Sequence, residues 1–97
     1  MIHIKLSKQV GSFAENKDIA REIRLKKIVP ALKKGQKVVI DFEGIDSTTQ
    51  SFIHALISDL IRKNGATVLD EISFKSCNET VQKIITIVID YMQESEN

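Results

Sequence analysis

Three carboxylates, Asp41, Glu43 and Asp46, crowd between the apolar run Val38-Val39-Ile40 and the hydroxyls Ser47, Thr48, Thr49 and Ser51. At the C-terminal end of a strand, where open α/β sheets place their sites, such carboxylates could hold a divalent cation together with phosphate oxygens. That would suit a small nucleotide- or cation-binding enzyme. The plainer reading, and the favoured one, makes Glu43 and Asp46 solvated turn residues, because Asp is a common turn former. Ser47 and Gln50 have the spacing of a capping box, in which each side chain satisfies a backbone donor at a helix start. A capping Ser contributes ~1 kcal/mol.

Cys77 is the single cysteine, and His3 and His54 are the two histidines. A nucleophilic cysteine needs an activating base. Neither histidine is near Cys77 in sequence, so it reads as a small buried hydrophobe. His54, at the edge of an apolar helical arc, reads as a surface or half-buried histidine rather than a ligand. This inventory is too small for a standard zinc site, and it allows no internal disulfide. There is also no Gly-rich phosphate loop and no base–nucleophile pair. We expect no catalytic residue, no metal and no cofactor.

The 97 residues carry 14 Lys+Arg against 13 Asp+Glu, a net charge of +1. That gives no global field for nucleic acid or anionic membrane. The charge is unevenly spread: residues 17–37 are net +6, and the remainder is net −5. Lys17, Arg21, Arg24, Lys26, Lys27, Lys33, Lys34 and Lys37 read first as solvated helix faces. An acidic partner or self-association comes second. A nucleic-acid-associated accessory role comes third, because no aromatic is interleaved to stack on bases. A composition of 42% hydrophobic and 28% charged residues is ordinary for a globular chain. No segment reads as a signal peptide or membrane span. The expected compartment is the cytoplasm, and the expected organisation is one domain over 1–97 with a frayed tail at 91–97.

The elements that must position these groups follow from periodicity. Ile2, Ile4 and Leu6 alternate with polar residues and predict a strand. Ile19, Ala20 and Ile23 mark one helical stripe, and Leu25, Ile28, Val29 and Leu32 a second, out of phase with the first. We read a helix near 17–25, a break, and a helix near 27–34 with Pro30 in its first turn. Residues 37–42 predict a buried central strand. A helix opening at Ser47 carries Phe52, Ile53, Leu56, Ile57, Leu60 and Ile61 over an arc of roughly 180°, wider than the usual ~100°. Residues 66–70 read as loop or short strand, and Ile72-Ser73-Phe74-Lys75 as a strand. The last helix starts at 77–79, with Ser76 to Glu79 at capping-box spacing. Its core face is Val81, Ile84, Ile85, Val88 and Met92, widened by Ile87, Ile89 and Tyr91. The order β–α–β–α–β–α predicts an α/β layer with a small, mostly parallel sheet of about 3–4 strands and helices packed on it.

The run from Ala31-Leu32-Lys33-Lys34-Gly35 through Val38-Val39-Ile40-Asp41-Phe42 to Asp46-Ser47-Thr48-Thr49 resembles the STAS domains typified by bacterial anti-sigma factor antagonists. Those proteins lead from a strand of this type to an Asp-Ser-Ser-Gly motif that opens the next helix. The chain is most similar to short bacterial STAS-like proteins that carry Thr-Gln-Ser-Phe, present as Thr49-Gln50-Ser51-Phe52. The resemblance implies a signalling switch. The Ser after the Asp, Ser47 by position, would be phosphorylated by a partner that is both kinase and anti-sigma factor, an ATPase of the histidine-kinase-like type. A phosphate at a helix N-terminus meets free N–H groups and the positive dipole end and adds about −1.5 to −2 charge. Where the family has Gly this chain has Thr49, and Thr48, Thr49 and Ser51 are competing acceptors.

The leading expectation is therefore a non-enzymatic regulatory module. It would bind its partner through Asp46, Ser47, Gln50 and His54. The broad apolar arcs of the last two helices suit a protein interface, including a homodimer.

Overall fold

The computed structural model describes residues 1–95. Alternation of apolar and polar residues puts Ile4 inside and His3 outside in β1 (Ile2–Lys5). Leu6, buried, follows it into a one-turn helix, α1 (Ser7–Val10). β1 pairs in parallel with β3 (Val38–Asp41), which pairs in parallel with β5 (Ile72–Lys75), giving the order β1-β3-β5. The chain steps twice in the same direction across this sheet. Right-handed crossovers then place both connecting helices on one face. That face carries Ile4, Val38, Ile40 and Ile72, all buried. The opposite face carries His3, Lys5, Ser73 and Lys75, all exposed.

The first crossover is one helix, α2 (residues 17–33), where the sequence predicts two with a break. It is α-helical over Lys17–Ile23, π-helical over Arg24–Ile28 and α-helical again over Val29–Lys33. The Val29 N–H reaches the carbonyl of Arg24, five residues back. The wide turn inserts one extra residue, so the stripe Ile19, Ala20, Ile23 continues in phase as Ile28 and Ala31. It also lies just before Pro30, whose ring crowds a regular preceding turn.

The second crossover, α3 (residues 50–64), repeats the device: Gln50–Ile53, a π turn at His54–Ser58, then Asp59–Asn64. The Ser58 hydroxyl donates to the His54 carbonyl within that turn. Phe52, Ile53, Leu56, Ile57, Leu60 and Ile61 are all buried, because α3 is central among the helices. α2 packs on one side of it, and α4 (Glu79–Ser95) on the other. Its wide apolar arc is spent inside the chain, against these two helices and the sheet.

A second, two-stranded parallel sheet joins β2 (Phe13–Ala14) to β4 (Ser47–Thr48). The periodicity predicts no element at the first of these and a helix opening at the second. Residues 66–71 form a 3₁₀ helix rather than loop or strand. In α4, Val81, Ile85, Val88 and Met92 are buried. Ile87 and Tyr91, expected to widen its core face, are instead 48% and 59% exposed. Of the tail read as frayed over 91–97, residues 91–95 lie in α4, which runs to Ser95 with Met92 buried in the core. Residues 96–97 of that tail lie outside the described residues. No helix among the described residues is long and apolar enough to cross a membrane.

Candidate functional site

The chain leaves the central strand at Asp41, turns through Gly44 and reaches α3 at Gln50. Gly44 has φ +85°, a left-handed conformation that favours glycine. Asp41 is 3% exposed. Its carboxylate accepts from the N–H of Glu43 at 2.9 Å and lies 2.9 Å from Nε2 of His3. Those bonds, the Glu43 N–H first and the His3 ring second, hold the Asp41 carboxyl below the usual carboxylate range. Glu43 points to solvent 3.8 Å from Lys5 Nζ, and Asp46 is exposed. The three carboxylates do not converge. Among the described residues no three His, Cys, Asp or Glu side chains stand together as metal ligands.

The segment after Gly44 is pinned by backbone pairing. The N–H of Asp46 donates to the carbonyl of Ser12 at 2.7 Å, and that of Thr49 to the carbonyl of Ala14 at 3.0 Å. These bonds hold Ser47 in an extended strand, so it is not the helix cap and forms no capping box with Gln50. The cap is Thr49, whose Oγ1 accepts from the N–H of Phe52 at 3.1 Å. This gives Thr49-Gln50-Ser51-Phe52 a physical meaning: a cap, two solvent-facing positions, and the first fully buried aromatic of α3.

The four hydroxyls therefore differ. Thr48 is 5% exposed, and its Oγ1 donates to the carbonyl of Ala14 at 2.9 Å. Thr49 is engaged as the cap. Ser47 is half-buried and Ser51 exposed. The dipole argument made for Ser47 belongs to Ser51, which sits in the first turn of α3.

Segment 46–54 runs beside α4 and is tied to it at both ends. At one end, Nδ2 of Asn78 donates to the carbonyl of Asp46 at 2.9 Å, while its Oδ1 caps α4 by accepting from the N–H of Val81 at 2.8 Å. Asn78, not Ser76, is thus the cap of the last helix. At the other end, the His54 ring meets Tyr91 edge-on, centroids 5.7 Å apart at 84°. Gln50 is exposed one turn before half-buried His54, and Ile87 lies one turn before Tyr91. The structure thus brings Asp46, Ser47, Gln50 and His54 onto one strip and adds Ile87 and Tyr91. The sequence reading missed these two because a helical apolar stripe does not reveal which part stays uncovered.

Cys77 is half-buried with Sγ 3.9 Å from the carbonyl of Lys75. Burial first, and the charge of Asp41 second, push its thiol up, the wrong direction for a nucleophile. Arg24, counted with the solvated basic residues, is 9% exposed. Its Nη1 donates to the carbonyl of Ala55, inside the π turn of α3, at 2.6 Å.

A family model described as a STAS-like domain of unknown function (DUF4325) matches residues 20–82. Neither a curated protein nor a solved structure matches.

Proposed function

The chain belongs to this family of STAS-like domains, and on that premise we propose that it is a non-enzymatic regulatory module. It docks a partner protein on the strip formed by segment 46–54 and α4. One observation carries the reading: Ile87 and Tyr91 are 48% and 59% exposed one turn apart on α4, and the Tyr91 ring stands edge-on against His54 of α3. Two large exposed apolar side chains at one end of the strip, with exposed Asp46 at the other end and exposed Gln50 between, give the mix of anchor and polar rim that a transient interface uses.

The switch is a phosphate on Ser47 or Ser51. Ser51 is the better placed, because its phosphate would meet the free N–H groups of the first turn of α3. Thr48 would have to break its bond to Ala14 first. The partner is a regulatory protein, in the antagonist analogy an ATPase-type serine kinase that is also an anti-sigma factor. A second copy of the chain is the other candidate.

Phosphosite mapping of the protein isolated from the cells that make it tests the switch. The expected result is a mass gain of about 80 Da, one phosphate, confined to Ser47 or Ser51. An unmodified chain in every growth state, or a phosphate on Thr48, would contradict it.

A further inference from the structure

Helices α2 and α3 pack together along their first halves and through their π turns. Beyond the turns they part, and a cleft of about 480 Å³ opens between them. It lies on the α2 side of α3, away from the strip on α4. Val29, Leu32 and Leu60 line it, and Leu25, 49% exposed, adds an apolar side chain open to solvent.

Arg24 lies where the helices diverge. Besides its bond to Ala55, its Nη2 is 3.3 Å from Oδ2 of Asp59. Asp59 is also held by Nη1 of Arg62 at 2.6 Å. One carboxylate is therefore shared between two guanidiniums, and Arg24, with five N–H donors, keeps donors to spare. Lys33, Lys63 and Asn64 complete the lining, and among the described residues neither lysine forms an ion pair. Three cations thus face one carboxylate around an apolar wall. The volume lies in the range of about 300–1,000 Å³ typical of small-molecule sites.

We propose that this cleft binds a small amphipathic anion, a carboxylate or phosphate carried on an apolar chain. The chain lies along Leu25, Val29, Leu32 and Leu60, and the anion sits between Lys33 and Lys63 within reach of Arg24. An anion is specified over a cation by the excess of positive lining, and an amphiphile over inorganic phosphate by the apolar wall. Occupancy would clamp the diverging halves of α2 and α3. This site needs no partner protein, so it stands or falls separately from the proposed function.

Amide chemical-shift titration with octanoate, octyl phosphate, octanol, octylamine and inorganic phosphate tests it. Octanoate and octyl phosphate should shift Leu25, Val29, Lys33, Lys63 and Asn64 together. Octanol and inorganic phosphate should bind about tenfold more weakly, tenfold corresponding to 1.4 kcal/mol, and octylamine more weakly still. Replacing both exposed lysines, Lys33→Gln with Lys63→Gln, should weaken octanoate by a similar factor while the rest of the spectrum stays unchanged. Equal binding of octanol and octanoate, shifts clustered elsewhere, no binding of either anion, or an unaffected double variant would each overturn the proposal.

Discussion

The side chain of Asn78 holds Asp46 by its carbonyl at 2.9 Å while capping the last helix through the N–H of Val81 at 2.8 Å. One residue thus starts α4 and fixes the turn that leads from the central strand to α3. Asn78→Ala should cost about 1–2 kcal/mol in urea unfolding, a lost cap plus a lost turn anchor. Asn78→Asp keeps the cap oxygen but loses the donor, so it should fall between wild type and the alanine variant. Equal losses for the two would show that only the turn bond matters.

The position of the α3 cap separates two readings of the same hydroxyl run. With Thr49 as the cap, Thr49→Ala should destabilise by about 1 kcal/mol and Thr49→Ser by much less. Ser47→Ala should change the unfolding midpoint little. A large loss at Ser47 with none at Thr49 would restore the capping box read from spacing.

Arg24 joins the two π turns across the helix pair. Arg24→Met removes the donor to Ala55 and leaves Asp59 with Arg62 alone, so a loss of about 2–4 kcal/mol is expected. Chemical denaturation of the variant measures it. A loss no larger than that of an exposed change such as Lys27→Gln would mean that the bond across the helices is incidental.

Asp41 ties the C-terminal end of the central strand to β1 through His3. A carboxyl held below its ordinary range contributes stability above its unfolded pKa, near 3.9, and loses it as pH falls through the folded value. Asp41→Asn should therefore lower Tm at neutral pH, and the gap from wild type should close below about pH 4. A gap that stays constant across a pH series of melting curves would contradict this linkage.

Much of the sheet is readable in the sequence because its signals are local. Ile2-His3-Ile4-Lys5 and Ile72-Ser73-Phe74-Lys75 alternate with period two, and the Val38-Val39-Ile40 run announces the central strand between them. The helix phases are readable too, but not their cause. The jump from Ile23 to Ile28 looks like a break because an α-helix cannot absorb five residues, whereas a π turn can. Ser47 is misplaced for a different reason. Its extended backbone comes from pairing with Phe13 and Ala14, a distant contact with no local signature. The buried state of Arg24 is equally invisible, since it rests on a carbonyl of α3. The proposed docking strip is half legible: Asp46, Ser47, Gln50 and His54 are read from the sequence, whereas the exposure of Ile87 and Tyr91 emerges only once α4 is packed.

The central claim, a partner docked on the strip of segment 46–54 and α4, is tested most directly by quantitative affinity capture with surface variants. Wild type, Ile87→Glu, Tyr91→Ser and, as a control on α2, Lys27→Gln would be compared from the cells that make the chain. The account predicts a partner, or a second copy of the chain, retained by wild type and Lys27→Gln and lost with Ile87→Glu and Tyr91→Ser, all four folding alike by circular dichroism. The same protein retained equally by all four, or nothing retained by wild type in any growth state, would contradict it.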